Sequence, residues 1–117
     1  MILAQFWRNE SQQVVALEIT GHADAGPYGQ DIVCAAVSAV TIGTINSLQQ
    51  IAHAKPQVQE DSEAGGYLEC RVDYQSLTKV QDLIAAQTLM LHCCQTIQAI
   101  ATNYADFIQV KIEDFSS

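Results

Sequence analysis

Two residues suited to thiol chemistry, His22 and Cys34, stand twelve positions apart in the stretch GHADAGPYGQDIVCAAVS, from Gly21 to Ser38. The histidine lies in a glycine-punctuated loop, and the cysteine falls where an apolar helical pattern begins. Asp31 is a good N-cap residue, and the run from Ile32 reads as helix, which puts Cys34 at about the third helical position. The first-turn N–H groups have no intrahelical partners, so with the helix dipole they favour a thiolate and can cradle an oxyanion. A helix N-terminus and a nearby imidazolium draw a thiol's pKa from about 8.5 to between roughly 3.5 and 7.5. On this reading Cys34 is a nucleophile and His22, at the end of the preceding strand, its general base.

A second role suits the same residue. Free cysteine is among the most often buried residue types, so Cys34 also fits a packing position at a helix start. The glycines weigh toward chemistry, because Gly21, Gly26 and Gly29 permit positive φ and an adaptable loop. Asp31 has two roles open to it as well, orienting His22 or capping the helix.

The stretch resembles the signature of the ribosomal-processing cysteine protease family, Prp. That signature has a Gly-His-Ala opening, here Gly21, His22 and Ala23, and a short variable loop. Gly29, Asp31, Ile32, Val33, Cys34, Ala35, Ala36 and then Ser38 follow it. The resemblance implies an endopeptidase that removes a short N-terminal extension from large-subunit ribosomal protein L-twenty-seven. Cleavage follows a pair of phenylalanines in a segment that also carries basic residues. It further implies a homodimer. The glycines and Pro27 between the two residues point to a loop that orders over the substrate, with Gly21, Ala23, Gly26, Tyr28 and Gly29 as its residues. Two other readings remain: a non-enzymatic, ribosome-associated binding module with a structural Cys34, and a redox-sensing thiol.

The remaining cysteines read differently. Cys70 sits on the apolar side of a strand and Cys94 on the apolar side of a helix, both as core. Cys93 and Cys94 are adjacent and point about 100° apart on a helix, which makes no clamp. His92 beside them lacks the paired ligand spacing of structural zinc, so no metal and no cofactor is expected. His53, next to Pro56, suits a dipole partner at a helix C-terminus.

With 117 residues, nearly half of them apolar, one domain spanning 1–117 is expected. Thirteen acidic against five basic side chains give a formal charge of −8. Such a surface repels phosphate backbones and suits a basic partner, so a basic ribosomal protein is expected as substrate and nucleic acid is not. No uninterrupted apolar run reaches the roughly 20 residues of a membrane span, and the N-terminus lacks signal-peptide features. A cytoplasmic protein is therefore expected.

Hydrophobic patterning supplies the elements that must position the pair. Met1 to Arg8 and Val14 to Ile19 alternate as a hairpin that delivers Gly21 and His22. A helix is expected from Asp31 to about Ala52, then a second hairpin from Val58–Asp61 and Tyr67–Tyr74. Ser76 is expected to cap a second helix running to about Asn103, and Asp106–Asp114 closes the chain as a strand. The order ββαββαβ predicts an α+β two-layer sandwich: one mixed sheet with two helices on a face.

Overall fold

The structure, a computed structural model, describes residues 1–21, 28–61 and 66–115, and of residues 28–31 the backbone only. Its strands are β1 (Ile2–Arg8), β2 (Val14–Thr20), β3 (Gln57–Asp61), β4 (Tyr67–Arg71) and β5 (Ile108–Asp114). Its helices are α1 (Tyr28–Gln50) and α2 (Val80–Asn103). The order is the predicted ββαββαβ. A single 3-10 turn, Tyr74–Ser76, is added before α2.

The strands form one mixed sheet in the order β3-β4-β2-β1-β5, with β5 parallel to β1 and every other pair antiparallel. Alternation in β1 buries Ile2, Ala4 and Phe6 on one face. Register puts Leu17 opposite Phe6, Cys70 opposite Leu17 and Ile108 opposite Ile2, which extends that apolar face across the sheet. Onto it pack Val33, Val37 and Leu48 of α1 and Ala86, Met90, Cys93 and Ile97 of α2. Full burial of each larger aliphatic side chain contributes about 1.5 to 3 kcal/mol, so this one core holds both layers together.

The opposite face is fastened at the end of the β1–β5 pair. Trp7 stacks there on Phe115 with ring centroids 6.4 Å apart, and in the next register pair, on the other side of the ladder, Arg8 meets Asp114 at 2.8 Å. A register shift between Trp7 and Arg8 marks where β1 leaves the regular ladder.

Four local expectations are corrected. The helix expected to start after Asp31 begins at Tyr28, so Asp31 lies inside its first turns and is not the N-cap. An acidic residue there still suits the positive end of the dipole. The strand expected to reach Tyr74 stops at Arg71, because Asp73 caps the 3-10 turn by accepting from the Gln75 N–H at 3.0 Å. The Tyr74 hydroxyl donates to the Val14 carbonyl and pins that turn to β2.

Ser76, expected to cap α2, belongs to the 3-10 turn and donates to the Asp73 carbonyl at 2.7 Å. The N-cap position is Lys79, without a side-chain cap. His53 takes the left-handed region, φ 54°, after α1, and its ring meets Asp82 of α2 at 3.1 Å in place of the expected helix-end contact.

The helical segments Ile32–Gln50 and Val80–Asn103 are, by length and composition alone, long and apolar enough to cross a membrane. The expectation that no run reaches that threshold considered only uninterrupted apolar residues. Here the Ile, Val, Leu, Ala and Cys residues outweigh the Ser, Thr and Gln that interrupt them, so the average over each segment stays high. One stripe of each helix is buried in the core just described.

Candidate active site

Cys34 is half-buried on α1 and lines a groove of about 180 Å³ between that helix and the sheet. The spacing of Cys34, Val37, Ser38, Thr41 and Ile42 is helical, so these residues form one continuous wall. Seven residues of helix from Cys34 to Thr41 rise about 10 Å, the length of about three residues of extended peptide. Opposite stand Ile2 of β1, Ile19 of β2 and Leu68 of β4, with Gly21, Gly66, Tyr67 and Glu60 at the rim. A buried hydroxyl in such a wall needs a partner, and Thr41 Oγ1 finds one by donating to the Val37 carbonyl at 2.9 Å.

Gly21 ends β2 at the mouth of the groove. Its φ of 76° is left-handed, and a Cβ there would stand 2.5 Å from the Met1 carbonyl oxygen. Only glycine fits both conditions. Its N–H donates to the Gly66 carbonyl at 3.1 Å, which ties the exit of β2 to the entry of β4.

Tyr67 is held from the outer side. Its hydroxyl donates to Glu69 at 2.6 Å, and Arg71 donates to the other Glu69 oxygen at 2.7 Å. That bond to Glu69 raises the tyrosine pKa to about 12. The same bond, followed by the one from Arg71, holds the Glu69 carboxyl below its usual value.

The other three thiols are enclosed. Burial pushes Cys70 up to about 12 and Cys93 to about 11, and raises Cys94 as well. A thiol held protonated in the core is a poor nucleophile, so of the four cysteines Cys34 is the one placed for chemistry. No disulfide links the four. Among the described residues no group of three or more His, Cys, Asp or Glu side chains gathers as a metal site.

The start of α1 at Tyr28 changes the expected source of thiol activation. Cys34 is the seventh residue of the helix, beyond the first turn whose N–H groups are unpaired. The dipole effect falls off within that turn. The helix terminus is therefore not the source of activation expected for Cys34. His22, the expected base, lies outside the described residues, as do Ala23, Gly26 and the side chains of Tyr28 and Asp31; Gly29 is described only as helix backbone.

Sequence reasoning missed the groove and its wall. The signal lies in the i, i+3, i+4, i+7 series of Cys34, Val37, Ser38 and Thr41, of which only Val37 belongs to the apolar pattern that Ser38 and Thr41 interrupt. Glu60 was read only as part of a short acidic strand.

A half-exposed thiol on the wall of an apolar groove, sized for a few residues of extended chain, is the layout of a cysteine peptidase. The family described as cysteine protease Prp matches residues 1–109 of this chain. The ribosomal processing cysteine protease Prp of Bacillus subtilis is 32% identical over 114 residues, covering 94% of this chain and 96% of that protein. The crystal structure of SMU.848 from Streptococcus mutans superposes with a TM-score of 0.84 at 33% identity, over 98% of this chain and 99% of that one.

The essential ribosomal processing protease Prp from Staphylococcus aureus, solved with a substrate peptide, gives a TM-score of 0.81 at 28% identity, over 96% and 99%. With a covalently linked product peptide it gives 0.78 over the same shares. This chain belongs to the Prp family of cysteine proteases, and it is a cysteine peptidase.

Proposed function

We propose that this peptidase removes the N-terminal extension of large-subunit ribosomal protein L-twenty-seven, with Cys34 as nucleophile and His22 as general base. His22 takes the thiol proton, and the Cys34 sulfur attacks the scissile carbonyl. The C–N bond then breaks as the imidazolium returns the proton to the leaving amine. Water, deprotonated by the same histidine, hydrolyses the thioester and frees the thiol. Asp31 orients the His22 ring, and Ala23 and Gly26 between β2 and α1, with Tyr28 and Gly29 at the helix start, contact the substrate chain.

The observation that carries this reading is the position of Cys34 on an apolar groove. Paired phenylalanines next to the cleaved bond suit the wall made by Ile19, Val37, Ile42 and Leu68. The covalently linked product peptide on the Staphylococcus aureus relative supports a covalent step.

The substrate is basic and this protein carries a formal charge of −8, which favours encounter. Action in the cytoplasm agrees with four cysteines that form no disulfide. A homodimer is supported by the outer surface of the helices. Ile32 of α1 and Ile84 and Leu91 of α2 are exposed, and residues 32–50 include no charged side chain. Two copies of an acidic protein repel least through such a face.

The experiment is incubation of the purified chain with a peptide spanning the extension and the start of the mature ribosomal protein, read by mass spectrometry. A single cut after the phenylalanine pair, lost in Cys34→Ser and retained in Cys70→Ala, is expected. Binding of the peptide without any cut would overturn the assignment in favour of a recognition module.

A further inference from the structure

Glu60 breaks the pattern of the face it occupies. Strand register aligns Val110, Ala4, Ile19, Leu68 and Glu60 in one row across all five strands, on the face covered by the helices. The first four are apolar, as that face requires. The fifth is a carboxylate on the edge strand, and it lines the same groove as Cys34.

Its described surroundings give the carboxylate no structural duty. Glu69 is bound by Tyr67 and Arg71, Asp82 by His53, Asp114 by Arg8, and Asp73 caps the 3-10 turn. The Glu60 carboxylate has no hydrogen bond or ion pair among the described residues, and it is the only carboxylate on the described lining of the groove. A carboxylate on the otherwise uncharged described lining of a peptide-sized groove complements a cationic side chain of the chain that fills it.

We propose that Glu60 is a specificity-determining residue that receives a lysine or arginine of the substrate a few residues from the scissile bond. The inference rests on reading the groove as the peptide site. From β2 to β3 the groove crosses two strand spacings, about 10 Å, or about three residues of extended peptide. The competing role is that of an edge guard, since an inward-pointing charge on an edge strand discourages pairing with another chain. A guard acts on assembly and is blind to the sequence of the peptide.

The test uses short synthetic peptides with Phe-Phe at the centre and a single Lys moved through the other positions, against an all-Gln parent. Wild type, Glu60→Gln and Glu60→Lys are compared by kcat/KM, and by fluorescence anisotropy in a Cys34→Ser background. In wild type one Lys position should gain roughly threefold to tenfold over the parent, as a partly screened ion pair allows. Glu60→Gln should remove that ratio, and Glu60→Lys should prefer Glu at the same position.

A Lys-to-Gln ratio that survives Glu60→Gln overturns the proposal, as does the absence of any preferred Lys position. So does an effect of Glu60→Gln confined to higher-mass assemblies. If wild type cleaves no peptide, the peptidase reading fails on its own, and anisotropy still decides Glu60. A Lys preference in binding that Glu60→Gln abolishes supports it, and equal binding of Lys and Gln peptides overturns it.

Discussion

The Gly21 N–H donates to the carbonyl of Gly66 at 3.1 Å, and both glycines hold positive φ, 76° and 85°. This single bond joins the strand end that leads to His22 to the strand start that forms the far rim of the groove. The backbone can make it only because both residues reach the left-handed region at little cost.

Gly21→Ala should therefore be costly. A methyl group would meet the Met1 carbonyl at 2.5 Å in a backbone conformation that alanine disfavours. A loss of about 2 kcal/mol or more is expected from strain and clash together, with a fall in kcat/KM as the strand end shifts. Thermal unfolding measures the first and peptide cleavage the second. An unchanged melting temperature would show that the strand end yields freely.

Stability should fall at alkaline pH. Cys70 and Cys93 are raised from 9.0 to about 12 and about 11 by burial, so between pH 9 and 11 they keep protons that the unfolded chain gives up. The native state then binds more protons, and unfolding free energy drops as pH rises, by up to about 1.4 kcal/mol per pH unit for each thiol. Urea unfolding at pH 8, 9.5 and 10.5 should show this slope, and Cys70→Ala should make it shallower. An equal slope in the variant would remove Cys70 from the account.

His22→Ala should lower kcat by roughly two to four orders of magnitude while changing peptide affinity little, because a general base acts in the transition state. Affinity measured in the Cys34→Ser background separates the two quantities. A matched loss in affinity with kcat preserved would make His22 a binding residue.

Ile42→Ala should raise KM several-fold without lowering the melting temperature. Ile42 lines the groove at 52% exposure, so its removal opens no cavity in the core. Burial of apolar surface against a bound phenylalanine is worth about 25 cal/mol per Å², and that contact is what the variant loses. Unchanged KM for the Phe-Phe peptide would place the aromatic pair elsewhere.

Much of this molecule was legible before its structure. The alternation in residues 2–8 and 14–20 and the helical periods in 32–51 and 80–103 are local patterns, and they determined element type and order. The run from Gly21 to Ser38 carried the family, since a glycine turn, a histidine and a helix-borne cysteine occur there as one contiguous string. Element ends were less legible. A helix start depends on which residues ahead of it find partners, and Ser76 was drawn into a 3-10 turn by Asp73 before it could cap α2.

Tertiary structure alone decided the rest. β5 lies parallel to β1 although about a hundred residues separate them, and no local pattern encodes that choice. The same long-range pairing aligned Glu60 with Leu68 and Ile19 and brought the acid to the channel of a cysteine far away in sequence. A groove is a property of two surfaces at once, a helix wall and a sheet edge. Its lining is set by cross-strand register and helix phase together, and neither can be read along one segment of chain.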